Sequence, residues 1–277
     1  MMPGIVLAAV LCAALLHASW NAAIKAEPDK LLASVAVTTG AGLLGAAALL
    51  VLPAPDPASW PFIAASGALQ VTYYLLLART YGEADISLAY PIMRGSAPVL
   101  VALANAGAEP LHPAQGLAIA LMCAGAVATC FGGAARLSRR ALAPALLTAL
   151  VIAAYTVVDG LGVRRSGAPA AYTAWLFLLT GLGVPLACRR RLGGRLGGYL
   201  AARPLLALLG GAATGGSYGI ALWTMTLAPV AVVAALRETS IVFAVAIAAW
   251  VLRERVGRAR VLGALLIAGG AATLRLA

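Results

Sequence analysis

Four charged side chains lie inside apolar runs: Arg94, Asp159, Arg237 and Glu238. A charge at the centre of a membrane helix costs about 2.5–3.5 kcal/mol on insertion scales, so it faces a polar cavity or pairs with another charge. One reading is a binding centre in which Arg94 or Arg237 meets a substrate carboxylate and Glu238 meets an amine or a proton. The alternatives are an internal Arg–Glu pair that locks two helices together, or arginines that snorkel to an interface. Asp159 stands nearer the end of its run, where it can join the centre or simply meet Arg164 or water.

Uncharged polar and aromatic groups extend this set. His17 and Asn21 are four apart and share a helix face, with Trp20 directed elsewhere. His17 could relay a proton, since imidazole titrates near neutrality, or serve as an interhelical hydrogen-bonder. Gln70 and Tyr74 share one face, and Tyr90 and Arg94 another. Tyr155, Trp175, Tyr218 and Trp223 add aromatic surface in the second half, fitting a cavity with apolar walls and few placed polar groups. Trp60 and Trp250 suit an interfacial belt. The expected substrate-binding set is His17, Asn21, Gln70, Tyr74, Tyr90, Arg94, Tyr155, Asp159, Trp175, Tyr218, Arg237 and Glu238. Pro91 and Pro98 flank Arg94 and are expected to break the backbone ladder of its helix. The stretch around Glu238 has no matching prolines, so the two halves are not expected to move identically.

Other chemistries find little support. The segment Gly215, Ser217, Gly219 has hydrolase spacing, but that motif needs a strand-to-helix turn and a triad. Gly211, Gly215 and Gly219 fit close helix packing better. No phosphate-binding lysine loop appears, so direct driving by ATP has no support in the sequence. Cys12, Cys123, Cys130 and Cys188 lie within or at the ends of apolar runs, in no metal-binding spacing. No metal or other cofactor is expected.

These residues must be held by membrane helices. Of 277 residues, 62% are hydrophobic and only 10% charged, too few to coat a soluble protein. The mean hydropathy is +0.95. The net charge of +11 flanks apolar runs, and no aromatics interleave the arginines, so nucleic acid is not an expected partner. Turns and charges separate ten runs, at about 3–24, 31–52, 60–80, 86–107, 114–134, 142–163, 170–188, 204–227, 229–252 and 259–274. A basic, glycine-rich loop at 189–203 joins the seventh to the eighth. The first run lacks a basic start and a cleavage site, so it is expected to be a retained helix.

The expected fold is all-α and polytopic, with ten transmembrane helices as two inverted five-helix repeats, 1–138 and 139–277. A shift of 143 positions carries residues 93–96 onto 236–239, which aligns Arg94 with Arg237. Residues 116–129 also resemble 263–273, and 20–21 lie near 155–156 at a shift of 135. An odd number of spans per half inverts the second half, the plan of many secondary transporters. This argues for transport of a small molecule rather than for an enzyme.

Segments 17–21, 87–91 and 94–98, together with the repeats around the fourth and fifth helices of each half, resemble the drug/metabolite transporter superfamily. Within it the chain resembles the EamA-type ten-helix members, including the YddG-type amino-acid exporters. The resemblance implies two five-helix repeats, a central cavity and export of amino acids or related metabolites, by a multi-pass inner-membrane protein that is a monomer or homodimer. It also implies an acidic residue between the fourth and fifth helices. Glu109 and Glu254 fit, although Arg253 and Arg255 surround the second. Fifteen Lys and Arg flank one membrane face and three the other, which puts both termini outside by the positive-inside rule. The resemblance implies cytoplasmic termini. Two alternatives stay open: a lipid-linked sugar flippase of the same architecture, and a membrane-embedded lipid-modifying enzyme.

Overall fold

The computed structural model describes residues 3–83, 86–129, 139–251, 253 and 256–276, excluding the side chains of 78–91 and 139–141. Tyr90 therefore lies outside the described residues. Every regular element among those described is helical. In chain order the α-helices are α1 (Gly4–Ala26), α2 (Lys30–Ala48), α3 (Trp60–Glu83), α4 (Ile86–Asn105), α5 (Pro113–Ala128) and α6 (Arg139–Ser166), with a 3-10 turn, Pro57–Ser59, before α3. There follow α7 (Pro169–Leu192), α8 (Arg195–Ala202), α9 (Pro204–Met225), α10 (Val230–Leu236), α11 (Thr239–Trp250) and α12 (Arg258–Leu276).

Local chemistry sets these boundaries. Asp29 caps α2 by accepting from the Leu32 amide at 3.0 Å. His112 and Gln115 close a capping box at α5, with Pro113 at the first helical position. Pro169 and Pro204 open α7 and α9 in the same way. Gly193 and Gly194 take positive φ (54° and 76°), which turns the chain sharply from α7 into α8. The 189–203 stretch is thus not all loop, as its glycines suggested. Its middle forms α8, a short helix with no buried residue.

Two further findings concern the charged helices. α4 stays helical through Pro91 and Pro98, each of which removes one amide from its ladder without ending the helix. Its counterpart carries a turn that no proline signals, where Arg237 and Glu238 stand between α10 and α11 with helical backbone angles. There Glu238 N–H bonds Ala235 O at 2.9 Å and Ser240 N–H bonds Arg237 O at 3.1 Å, both three residues back, so the helix tightens locally without a proline.

Eight helical stretches are long and apolar enough to cross a membrane, with Val230–Trp250 counted as one; Ile92–Asn105 and Pro113–Ala128 are shorter apolar helices. The exterior is apolar: Leu43, Leu117, Leu186, Leu205 and Leu265 are each more than 60% exposed. Arg94, Asp159 and Glu238 are buried. This reverses the soluble pattern and suits a multi-pass membrane protein, whose exterior contacts lipid tails.

The helices pack in matched pairs. α2 lies against α7, and α5 against α12. α3 packs on α6 as α9 packs on α1, and α4 packs on α6 as α11 packs on α1. Both central crossings need glycine. A Cβ on Gly42 would come within 2.8 Å of Gly181 Cα, and one on Gly263 within 2.5 Å of Gly125 O. With no side chains between them, the backbones approach closely enough for dispersion to hold the helices in a solvent that gives no hydrophobic drive.

Candidate functional site

The charged residues of both halves meet inside the helix bundle. α4 presents Arg94, and the α10–α11 turn presents Arg237 and Glu238 side by side. Arg94 Nη2 lies 3.0 Å from Glu238 Oε1, with only 9% and 4% of the two side chains exposed. The interhelical Arg–Glu pair considered from the sequence therefore forms. Ionising both groups inside the bundle costs several kcal/mol each in lost hydration, which their attraction must offset. Glu238 Oε2 is buried and has no hydrogen-bond partner among the described residues. Pro98, one turn beyond Arg94, lacks the amide hydrogen that a helix would direct at residue 94's carbonyl.

Arg237 takes a different environment. Its guanidinium lies over the Tyr218 ring, 4.9 Å from the centroid, and the side chain is half-buried. It forms no salt bridge among the described residues, so its charge is met by the ring face.

Tyr218 carries this arrangement onward to Asp159. The Tyr218 hydroxyl donates to Asp159 Oδ2, the Tyr172 hydroxyl donates to Oδ1 at 2.9 Å, and Gln70 Nε2 donates to Oδ2 at 3.4 Å. Gln70 also donates to Ser66 Oγ at 3.1 Å. Asp159 is wholly inaccessible and has no salt-bridged cation among the described residues. It meets neither Arg164 nor water near a helix end: α6 continues seven residues beyond it, to Ser166, and Arg164 is engaged elsewhere.

An aromatic chain connects the elements. Tyr74, Tyr73, Tyr155 and Tyr218 make successive edge-on contacts at centroid separations of 5.2, 6.0 and 6.2 Å, and Phe177 meets Tyr218 at 6.3 Å. Tyr73, Ser66 and Tyr172 were absent from the sequence-based set. The spacing of Ser66 and Gln70, four apart, offered a signal for Ser66. Tyr172 offered none, because its partner comes from another helix.

On α1, Asn21 Nδ2 donates to the His17 carbonyl at 2.8 Å, so its amide serves its own helix. Trp20 does not point away from His17; their rings meet edge-on at 5.2 Å. Both His17 Nε2 and Trp20 Nε1 are buried without a hydrogen-bond partner among the described residues. Trp175 joins Trp60 at the start of α3, with centroids 4.9 Å apart, rather than the charged group.

Two other features stand apart. Ser217, from the hydrolase-like spacing, lies inside continuous α9 and donates to Ala13 O of α1 at 2.7 Å. An apolar cleft of about 590 Å³ between α2, α7 and α9, lined by residues such as Gly45, Gly215, Gly219 and Trp223, contains none of the charged residues. A Cβ on Gly215 would meet nothing nearer than Phe177 at 4.0 Å and one on Gly219 would lie 3.3 Å from Thr173, while Gly211 makes the close approach, 2.5 Å from the Ala41 nitrogen.

The ends of the bundle carry their own ionic contacts. At one end Glu109 pairs with Arg164. At the other, Arg195 pairs with Asp29 at 3.1 Å and Arg203 with Glu27 at 3.6 Å. The Tyr199 hydroxyl donates to Glu27 at 2.9 Å and is pushed up to about 12, first by burial and then by that carboxylate.

Comparison with known proteins adds a family match. Residues 139–276 match the EamA-like transporter family, part of the drug/metabolite transporter superfamily. A solved structure titled only as the crystal structure of a protein superposes on 98% of this chain and 97% of its own, with a TM-score of 0.74 and 21% identity. At that identity the likeness concerns the fold. No functionally curated protein matches the chain.

Proposed function

We propose that this protein is a secondary transporter that exports amino acids or related small metabolites across the inner membrane. Its working parts are two inverted five-helix repeats, 1–138 and 139–277, which rock about a central site. The matched helix packing supports this reading. Exchanging the first five spans with the second five turns the most extensive contact pairs into themselves or into others that are present: α3 with α6 into α9 with α1, and α4 with α5 into α11 with α12. Substrate sites of such transporters lie near the midplane, at broken helices between repeats. Here the locally tightened turn between α10 and α11 carries Arg237 and Glu238.

The carrying observation is the division of labour among the charges. Arg94 is neutralised by Glu238, so it is the lesser candidate for a substrate anion. Arg237 forms no salt bridge among the described residues, and its cation lies over the Tyr218 ring. Asp159 keeps an anion held by neutral donors. We therefore assign Arg237 to a substrate carboxylate and Asp159 to the amine, with Tyr218 touching both. Gln70 and Tyr172 position Asp159, while Tyr155 meets the Tyr218 ring edge-on. By charge count the basic loops face the cytoplasm.

Purified protein in liposomes should move labelled amino acids down a gradient. Arg237→Gln should reduce that flux about tenfold or more, equivalent to at least ~1.4 kcal/mol of lost interaction, and Arg237→Lys should reduce it less. If a broad panel of amino acids, amines and sugars gives no flux above empty liposomes, the transport assignment fails. If flux is normal in Arg237→Gln, the carboxylate assignment fails.

A further inference from the structure

Glu109 and Arg164 form a latch that joins three separated stretches of chain. Arg164 spends each of its three nitrogens on a different partner: Nε donates to Met225 O at 2.7 Å, Nη2 to Ala228 O at 3.0 Å, and Nη1 to Glu109 Oε1. The other oxygen of Glu109 accepts from the Val230 amide at 2.9 Å and from Asn105 Nδ2 at 3.4 Å. Met225 and Ala228 offer carbonyls at the end of α9, and Val230 offers the first amide of α10. Helix ends leave such groups without intrahelical partners. The pair therefore satisfies both helix ends around Pro229 at once.

α10 connects the latch to the candidate site. All seven of its residues, Val230 to Leu236, are buried, and the next two are Arg237 and Glu238. At 1.5 Å per residue the segment is about 10 Å long. It packs on α4, which carries Arg94, and on α5, α6 and α9. Displacing its first residue therefore displaces the charges at its other end. The two ion pairs differ in access. Arg94 and Glu238 are 9% and 4% exposed, whereas Arg164 and Glu109 are 33% and 15% exposed. Water reaches the second pair, and a pair that water reaches breaks and re-forms at small cost.

We propose that Glu109 and Arg164 are positioning residues: their latch seats α10, and through it Arg237 and Glu238, and its release opens the site toward the end of the bundle where α4, α6 and α9 terminate. This rests on the transport reading, since it assigns the opening step to one end of the same site.

The test does not need a substrate. In a background with Cys12, Cys123, Cys130 and Cys188 replaced by alanine, Ala234→Cys places a thiol on α10, where the native side chain is 8% exposed. A membrane-impermeant thiol reagent is added to sealed vesicles from either side. With the latch intact, labelling from the latch end is slow. Glu109→Gln should accelerate it about tenfold from that end only, equivalent to ~1.4 kcal/mol of latch stability. Arg164→Lys keeps the charge but cannot hold both carbonyls and the carboxylate. It should give the same one-sided acceleration, and it carries the test if Glu109→Gln does not fold. Unchanged labelling in a folded variant, or equal acceleration from both sides, overturns the proposal. Normal liposome flux with unchanged labelling removes the latch and leaves the transport reading intact. Absent flux with one-sided acceleration does the reverse.

Discussion

Removing one partner of the Arg94–Glu238 pair should destabilise the protein far more than removing both. The two charges lie 3.0 Å apart, and both side chains are almost wholly inaccessible. With an effective dielectric constant of ~20, their attraction is about 5–6 kcal/mol. Dehydrating each ion costs several kcal/mol, so the pair as a whole is close to neutral for stability. Arg94→Met removes the attraction and leaves Glu238 dehydrated. Its Oε2 already has no hydrogen-bond partner among the described residues, so it has no second contact to fall back on. The expected loss is about 3–5 kcal/mol. Glu238→Met should also destabilise the protein, by removing the carboxylate that faces the buried Arg94 guanidinium. The double variant replaces both charges with apolar groups of similar length and should unfold within about 1 kcal/mol of the parent, or be more stable. The assay is a double-mutant cycle on reversible unfolding in mixed micelles, followed by tryptophan fluorescence. Coupling of about 3 kcal/mol or more is expected, against the 0.5–3 kcal/mol common for touching residues. Single variants that each lose less than about 1 kcal/mol, with coupling near zero, would refute the reasoning, because an exposed pair behaves that way.

Two further outcomes follow from contacts elsewhere in the molecule. Tyr172→Phe and Tyr218→Phe each remove one donor to the fully buried Asp159 carboxylate, so each should cost about 1.5–3 kcal/mol in the same unfolding assay, with Asp159→Asn relieving part of the loss. Gly42→Ala should lower the yield of folded protein on size-exclusion chromatography, because its Cβ meets Gly181 Cα at 2.8 Å, whereas Gly215→Ala should be tolerated, its nearest neighbour being 4.0 Å away.

Span positions were legible in the sequence because hydropathy adds up residue by residue. The ten apolar runs predict nearly every helix, and turn chemistry at Asp29, Pro113, Pro169 and Pro204 marks where several begin. The four intramembrane charges stood out for the same reason, since the cost of placing a charge among apolar residues depends on its immediate surroundings. Alignment of Arg94 with Arg237 was also visible, although it suggested equivalence. The structure separates them: Arg94 binds Glu238, and Arg237 rests on Tyr218. Partner choice is a long-range matter. It depends on which helix faces which, and that depends on close crossings such as Gly42 with Gly181. The same holds for Asp159, whose donors come from α3, α7 and α9. The turn at Arg237 and Glu238 escaped the sequence altogether. Prolines pointed to α4, but a buried proline helix is sustained by its neighbours, while Arg237 and Glu238 turn where their side chains must reach different partners. The sequence thus determined where apolar helices form and which residues are costly to bury. Only tertiary packing decided how those costs are met, because each charge is compensated by groups distant along the chain.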